Sequence, residues 1–257
     1  IQALGLQITP QKNGQDLKTF DSAFDALRLS PAKDSEVLKM IGKDNKVKNG
    51  YIYRIDSNGN DTPEEGGLFD PKIFGTDRDE QRSKWGYIEL PTAMPLPALM
   101  QSDSYNPYKI LTHFKDNELK DIMSKGDVVV VTDPKDSDFK AGQVVKVSEV
   151  EKAIFDDGKN VEFKAGGEAI KHYLGQINLD EELQKAREEL KNAKASTIKD
   201  VYPRYKVLNN LKEKGLEPTD LVTNIVPVTP IYLRPRIQKG RDEMLAGTTR
   251  LYRNLAN

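Results

Sequence analysis

Residues 221–241, LVTNIVPVTPIYLRPRIQKGR, constrain the backbone more than any other stretch of this chain. The β-branched run Val222 to Val228 favours extended geometry. Pro227, Pro230 and Pro235 then interrupt it at short intervals. Each proline removes a backbone donor and biases the preceding residue towards extended conformations. The stretch therefore predicts a stiff, extended ribbon, neither a helix nor a central strand. Arg234, Arg236, Lys239 and Arg241 follow, with Gly240 among them. A stiff apolar base leading into a basic, glycine-containing loop holds a cationic tip in place, and a polyanion is a natural partner for such a tip. A proline-rich surface crossing with solvated charges fits the same residues.

A chain of 257 residues is long enough for one or two domains with a sizeable core. Charged residues make up 31% of it, yet the net charge is only −1. Any contact with nucleic acid must therefore come from local patches rather than a global basic field. There is no cysteine, which excludes disulfides and thiolate metal sites. No apolar run is long enough to cross a membrane as a helix, and no signal-peptide pattern is visible at Ile1. Starting at Ile rather than Met, the chain reads as a trimmed or excised piece.

Residues 1–19 are polar and carry little pattern. Phe24, Leu27 and Leu29 form an apolar element that Ser30-Pro31 breaks, and Val37, Leu38 and Ile41 make a short helix face. Residues 46–65 predict a hairpin, with strand-like Tyr51, Ile52, Tyr53 and Ile55 before the turn Ser57-Asn58-Gly59-Asn60. Asp56, Asn58 and Asn60 alternate as in a calcium loop, but Asp61 stands where that loop needs glycine and Gly67 where it needs glutamate. In 116–126, Leu119, Ile122 and Met123 share a helix face, and Gly126 can form a left-handed cap. DVVVVT (127–132) is a buried-type strand, and GQVVKV opens as another. Gly166-Gly167 precedes a helix without the rest of a phosphate-binding motif. His113 and His172 have no metal-ligand spacing and read as structural or exposed.

The clearest helix is NLDEELQKAREELKNAKA, 178–195. Asn178 caps it, with Glu181 three residues on. Leu179, Leu183, Ala186, Leu190 and Ala193 form a narrow apolar stripe that needs a partner helix. Tyr205, Leu208 and Leu211, closed by Gly215, supply it.

VPVTPIYLRP resembles the V-x-P-V-x-P-P-D-L-R-P segment of the largest subunit (β′) of multisubunit, cellular-type RNA polymerases, with Ile231-Tyr232 in place of Pro-Asp. Further motifs stand in the family's order. FDALRLSPAKDSEV is similar to its amino-terminal F-D-A-I-R-I-x-L-A-S-P-E-E-I. Tyr53-Arg54 fall on a Y-R preceding D-G-L-F. Gly67-Leu68-Phe69 with Ile73-Phe74-Gly75 match G-L-F-x-x-x-I-F-G, and Gly86 to Leu90 match G-H-I-E-L. Residues 127–150 correspond to Y-V-V-x-D-P…G-Q-x-L, FKAGGEAI to F-x-A-x-x-G-A-E-A-I, and Arg204 to Leu211 to K-R-L-x-V-L-x-x-F. Leu251-Tyr252-Arg253 stand near the family's L-Y-R helix start. Between the G-L-F and G-H-I-E-L motifs, bacterial members carry a four-cysteine zinc ribbon. Here only Thr76 to Trp85 remain, which favours a divergent, phage-encoded polymerase.

The resemblance implies an α+β clamp-type fold with short helices, small hairpins and long loops. It divides the chain into an N-terminal extension (1–19), a clamp part with a zipper-like hairpin and shortened ribbon position (20–115), an α/β insert with two antiparallel helices (116–220), and a segment leading through the lid to the start of the clamp coiled coil (221–257). It places Tyr53 and Arg54 near upstream duplex DNA, and Arg234, Arg236, Lys239 and Arg241 on nucleic-acid phosphates. Met244 and Leu245 become an apolar wedge against the end of the RNA–DNA hybrid. Arg82 and Lys84 can reach DNA from the shortened loop, although Asp77, Asp79 and Glu80 also fit a solvated mixed-charge turn. Partners implied are DNA template, hybrid, a β-like subunit, the remainder of β′ and a promoter-specificity factor, in a bacterial cytoplasm or a virion, with no membrane. The family's N-A-D-F-D-G-D motif is absent, so catalytic Mg2+ is expected only in the assembled enzyme, and no zinc in this chain. A protein-binding scaffold derived from the clamp is the alternative. A small-molecule enzyme has no convergent set of titratable residues behind it.

Overall fold

A computed structural model describes residues 6–11, 26–75, 83–100, 105–194, 196–239 and 242–257, with backbone only for 6–11, 26–29, 236–239 and 242–244. In chain order the elements are β1 (Leu6–Gln11), β2 (Ala26–Pro31), α1 (Asp34–Ile41), β3 (Tyr53–Ile55), β4 (Asp61–Pro63), α2 (Pro71–Phe74), β5 (Gly86–Pro95), α3 (Pro97–Met100), α4 (Pro107–Thr112), α5 (Asp116–Ser124), β6 (Val128–Asp133), β7 (Val144–Lys146), α6 (Val147–Phe155), β8 (Glu162–Ala165), α7 (Gly166–Gly175), α8 (Leu179–Asn192), α9 (Ile198–Glu213), β9 (Val222–Val228), β10 (Arg236–Lys239), β11 (Asp242–Leu245) and α10 (Gly247–Ala256). Single 3-10 turns lie at Pro218–Leu221 and Ile231–Leu233. Among the described residues the strands form two-stranded pairs and one three-stranded sheet, an α+β architecture.

The chain folds into two compact units, 1–91 with 224–257, and 92–223. These borders differ from the segment borders at 115/116 and 220/221 expected from sequence. The reason is packing: α4 contributes Tyr108 and Leu111 to the same core as α5, α7, α8 and α9. Residues 92–115 therefore belong to the unit of those helices.

In the first unit, local chemistry fixes where elements start and stop. The Asp70 carboxylate, buried, accepts from the N–H groups of Lys72 (2.8 Å) and Gly66 (2.6 Å), and Pro71 opens α2. Gly75, at φ 73°, ends it. β3 and β4 pair antiparallel as the predicted hairpin. Asp56 Oδ1 organises its turn by accepting from the N–H groups of Asn58 (2.9 Å) and Asn60 (2.8 Å). That carboxylate is a turn former here, the role its loop chemistry favours over calcium. β1 pairs with β2, so residues 6–11 are a strand although their sequence carries little pattern. Leu27 and Leu29 lie on β2, whereas Phe24 lies outside the described residues. Leu68, Phe69, Ile73, Phe74, Ile88, Val228 and Ile231 form the main core of this unit. Val37, Ile41, Tyr87 and Ile225 form a second cluster, on which Trp85 packs.

The second unit centres on β6, flanked by β7 and β8, with Val128 to Val131 all buried. α8 lies against α9, and Leu179, Leu183 and Ala186 bury the predicted stripe against Leu208 and Leu211. Asn178 caps α8 through Glu181 N–H, and Glu181 accepts in return from the Asn178 amide. Gly215, at φ 63°, ends the helical run after α9. Gly126 does not take a left-handed cap. α5 ends instead on Lys125, which is extended and whose N–H donates to Asp121. After β7 the chain turns at once into α6, shortening the strand expected there. Gly167 has a structural reason to be glycine: a Cβ there would meet the Ala93 carbonyl oxygen at 1.8 Å.

Candidate nucleic-acid interface

The proline-punctuated stretch forms the predicted extended ribbon as far as Val228. Among the described residues β9 pairs only with β5, and Pro227 lies within it. A two-stranded pair leaves one edge of β9 without a ladder, where a missing donor is tolerated. After Pro230 the chain makes a 3-10 turn and reaches Arg234.

Arg234 is where the sequence expectation fails. Its neighbours in sequence place it among exposed cations, yet its relative exposure is 0%. Nε donates to the Thr229 carbonyl (2.8 Å) and Nη2 to the Leu68 carbonyl (2.9 Å). Cζ lies 4.8 Å from the Phe74 ring centroid, 5.2 Å from Phe69 and 5.8 Å from Tyr252. Three ring faces and two carbonyls replace the water and the carboxylate that a buried guanidinium usually needs. Nη1 has no hydrogen-bond partner. Burial pushes the Arg234 pKa down, to about 10, so the group stays charged at neutral pH. Arginine suits this place because its planar fork can stack and donate at once, which a lysine ammonium cannot. It is an internal tie and cannot contact phosphate from this position.

The basic segment after Arg234 is a β-hairpin. β10 and β11 pair antiparallel in the register Arg236↔Leu245, Ile237↔Met244, Gln238↔Glu243 and Lys239↔Asp242. Gly240 and Arg241, which join the strands, lie outside the described residues. The described residues between 236 and 245 are thus paired strands rather than an irregular loop. Leu245 is half-buried at the foot of the hairpin. Gly247 opens α10, and Leu251-Tyr252-Arg253 sit inside that helix rather than at its start.

Tyr53 and Arg54 lie on β3. Arg54 is exposed, whereas Tyr53 is half-buried with its ring stacked on Phe69 at 6.1 Å and an interplanar angle of 25°. Only Arg54 of this pair is freely presented to an external partner. Lys84 is exposed, and its N–H donates to the Phe74 carbonyl (2.8 Å). Arg82 lies outside the described residues. The surroundings of Arg54 are electrically mixed. Glu65 pairs with Lys72 (2.7 Å), and that hydrogen bond, more than the charges nearby, lowers the Glu65 pKa. Asp56 is also held below the usual carboxylate range, chiefly by the Asn60 N–H. No His, Asp or Glu cluster suited to a metal occurs among the described residues. Nor is any described helix long and apolar enough to cross a membrane.

Sequence reasoning therefore located the β3–β4 hairpin, read the segment that forms β10 and β11 as a loop, and missed the role of Arg234. Phe69, Phe74 and Tyr252 all occur in motifs shared with the family, yet nothing in their spacing says that one guanidinium gathers them. The end of α10 is also seated closely: Gly50 N–H donates to the Asn257 side-chain oxygen (3.2 Å), and a Cβ on Gly50 would meet the Arg253 carbonyl at 2.7 Å.

Comparison with known proteins gives this arrangement a context. No protein-family model matches the chain. Among curated proteins it is 27% identical, over 76% of its length, to DNA-directed RNA polymerase subunit beta' of Leptospira biflexa serovar Patoc, covering 16% of that protein. It is 26% identical to the subunit of the same name from Lacticaseibacillus casei over 76% of this chain and 18% of the relative. For Chromohalobacter salexigens the identity is 26% over 91% of this chain and 18% of the relative. The chain thus spans less than a fifth of the length of these curated relatives, and over most of its own length it is similar to the beta' subunits of DNA-directed RNA polymerases.

Proposed function

We propose that the chain is part of a β′-like subunit of a DNA-dependent RNA polymerase, forming the base of the clamp with a zipper-like hairpin and a lid. The observation that carries this reading is collinearity. The similarity extends over 76% to 91% of the chain, and the motifs that resemble the family's stand in its order along the sequence, in both compact units. In this reading the β3–β4 hairpin, through Arg54, faces upstream duplex DNA. The β10–β11 hairpin, with Arg236, Lys239, Arg241, Met244 and Leu245, faces the upstream end of the RNA–DNA hybrid. Both act by position and charge, since arginine and lysine contacts to phosphate position a nucleic acid without reading its sequence. Nucleotide addition belongs to the remainder of β′, with its Mg2+, and to a β-like partner. A promoter-specificity factor completes the assembly. With ten residues from Thr76 to Trp85 where bacterial members carry a zinc ribbon, and no cysteine, we infer a divergent, phage-encoded version that holds no zinc.

Deleting residues 237–246 in the assembled polymerase tests this reading. Nucleotide addition on a preformed scaffold is expected to persist. Displacement of RNA from a single-stranded template is expected to fail, giving overlong hybrids. Normal displacement would remove the lid assignment. Purification of the intact chain without any polymerase subunit would favour the scaffold alternative.

A further inference from the structure

We propose that Arg234 is a positioning residue that fixes the β3–β4 and β10–β11 hairpins relative to one another. Its guanidinium stands two residues before the first residue of β10, Arg236. It packs on Tyr252 of α10, the helix that begins two residues after β11 ends at Leu245. The residue that leads into the hairpin and the helix that leaves it are therefore joined through one side chain. The guanidinium also packs on Phe69, and Phe69 stacks on Tyr53 of β3. The result is a continuous stack, Tyr53–Phe69–Arg234–Tyr252, inside a single compact unit. The two hydrogen bonds of Arg234 fix its plane against carbonyls 166 and 5 positions away in the chain.

A simpler explanation is that Arg234 only fills space. Its chemistry argues otherwise. A buried cation without a carboxylate is an expensive way to fill a cavity that a methionine or leucine could occupy. What the arginine adds is direction: a planar group with in-plane donors tolerates little rotation, whereas an apolar chain tolerates much. The consequence is mechanical. Displacement of one hairpin must either break the stack or carry the other hairpin with it.

The test uses the full 257-residue chain, whose lack of cysteine allows paired spin labels to be placed by substitution. Labels at Asn58→Cys, in the β3–β4 turn, and Gln238→Cys, on β10, report the distance between hairpins by pulsed dipolar spectroscopy. Labels at Lys39→Cys and Glu89→Cys, on α1 and β5, report the same unit away from both. The unaltered chain is expected to give a narrow distribution for each pair. Arg234→Lys is expected to lose the narrow distribution of the hairpin pair only. Phe69→Leu keeps both Arg234 hydrogen-bond acceptors and removes the ring beneath Tyr53, and should have the same effect if Arg234→Lys does not fold. A hairpin distance that stays narrow in these variants overturns the proposal. Equal broadening of both pairs also overturns it, because that is what lost packing alone would do. The functional consequence rests on the transcription reading. In the assembled polymerase, Arg234→Lys should impair open-complex lifetime and RNA displacement together. Broadened distances with unaffected transcription would leave the positioning role standing and remove that reading.

Discussion

Among the described residues the two largest fully buried side chains both carry a polar tip, one in each compact unit, and the two units treat it in opposite ways. In the unit 92–223 it is Tyr108, whose hydroxyl accepts from Leu96 N–H (2.7 Å) and donates to the Leu221 carbonyl (2.6 Å). The group is neutral, hydrogen-bonded on both sides and part of a mostly aliphatic core drawn from five helices. Burial raises its pKa, so it is a neutral phenol at neutral pH. In the other unit it is Arg234, charged, stacked on aromatic rings and with one nitrogen unpartnered. The first arrangement sits in a core built mainly by helices. The second sits beside a core of short segments, Leu68 to Phe74 with Ile88, Val228 and Ile231. A unit rich in helices can spread its stability over many similar contacts, whereas a unit of short hairpins concentrates it.

Mutation and unfolding measurements can test that contrast. The largest effect is expected from Arg234→Ala, which leaves the Thr229 and Leu68 carbonyls without their donor and opens a cavity among three rings, a loss of about 3–5 kcal/mol. Trp85, the single tryptophan, packs within the same unit, so its fluorescence during urea unfolding reports that loss directly. Arg234→Met restores volume and removes the buried charge. If it unfolds at the same urea concentration as the unaltered chain, the charge is not what holds this unit.

Tyr108→Phe is expected to cost less, about 1–3 kcal/mol, because the core stays filled and only the hydroxyl's two main-chain partners are orphaned. Amide exchange of the valines in β6 should quicken, with Trp85 unfolding unmoved. A shift in the Trp85 transition would show that the units do not unfold separately.

Asn178→Ala removes the cap of α8 and should cost about 1 kcal/mol, with α8 fraying at its first turn in amide exchange. An undisturbed first turn would assign the end of this helix to packing of Leu179 rather than to its cap.

The smallest effect concerns Glu182, which accepts from Lys185 (2.9 Å) and is paired with Arg204 of α9. Its pKa is lowered, first by the Lys185 hydrogen bond. A depressed carboxylate stabilises the fold above its unfolded pKa, and that contribution is lost as pH falls through the folded value. For a partly exposed network it amounts to less than about 1 kcal/mol. The pH dependence of stability below the ordinary glutamate range should therefore flatten slightly in Glu182→Gln. An unchanged slope would mean that the pair contributes nothing.

Much of the second unit was legible in its residues. The stripe on α8, the cap at Asn178, the valine run of β6 and the turn at Gly215 are local signals, each carried by side chains within one or two turns of one another. The hairpin at 53–63 was legible for the same reason, through Asp56 and the asparagines after it. Another local reading was overruled. Gly126 looked like the residue that closes a helix, but α5 closes on Lys125. Glycine permits a left-handed conformation without requiring it.

Where the chain could be helical, where it had to be extended and where it could turn are written in the residues themselves, because these depend on sterics and hydrogen bonds between near neighbours. So is the order of motifs that matches a known family. The role of Arg234 is not. In the sequence it is one of four cations in eight residues, and nothing local separates it from Arg236. What removes it from the surface is the arrival of Leu68, Phe69 and Phe74 from about 160 residues earlier and of Tyr252 from the helix beyond the hairpin. Burial of a charge depends on which distant groups are available to replace its water, and that is settled only when the chain closes on itself.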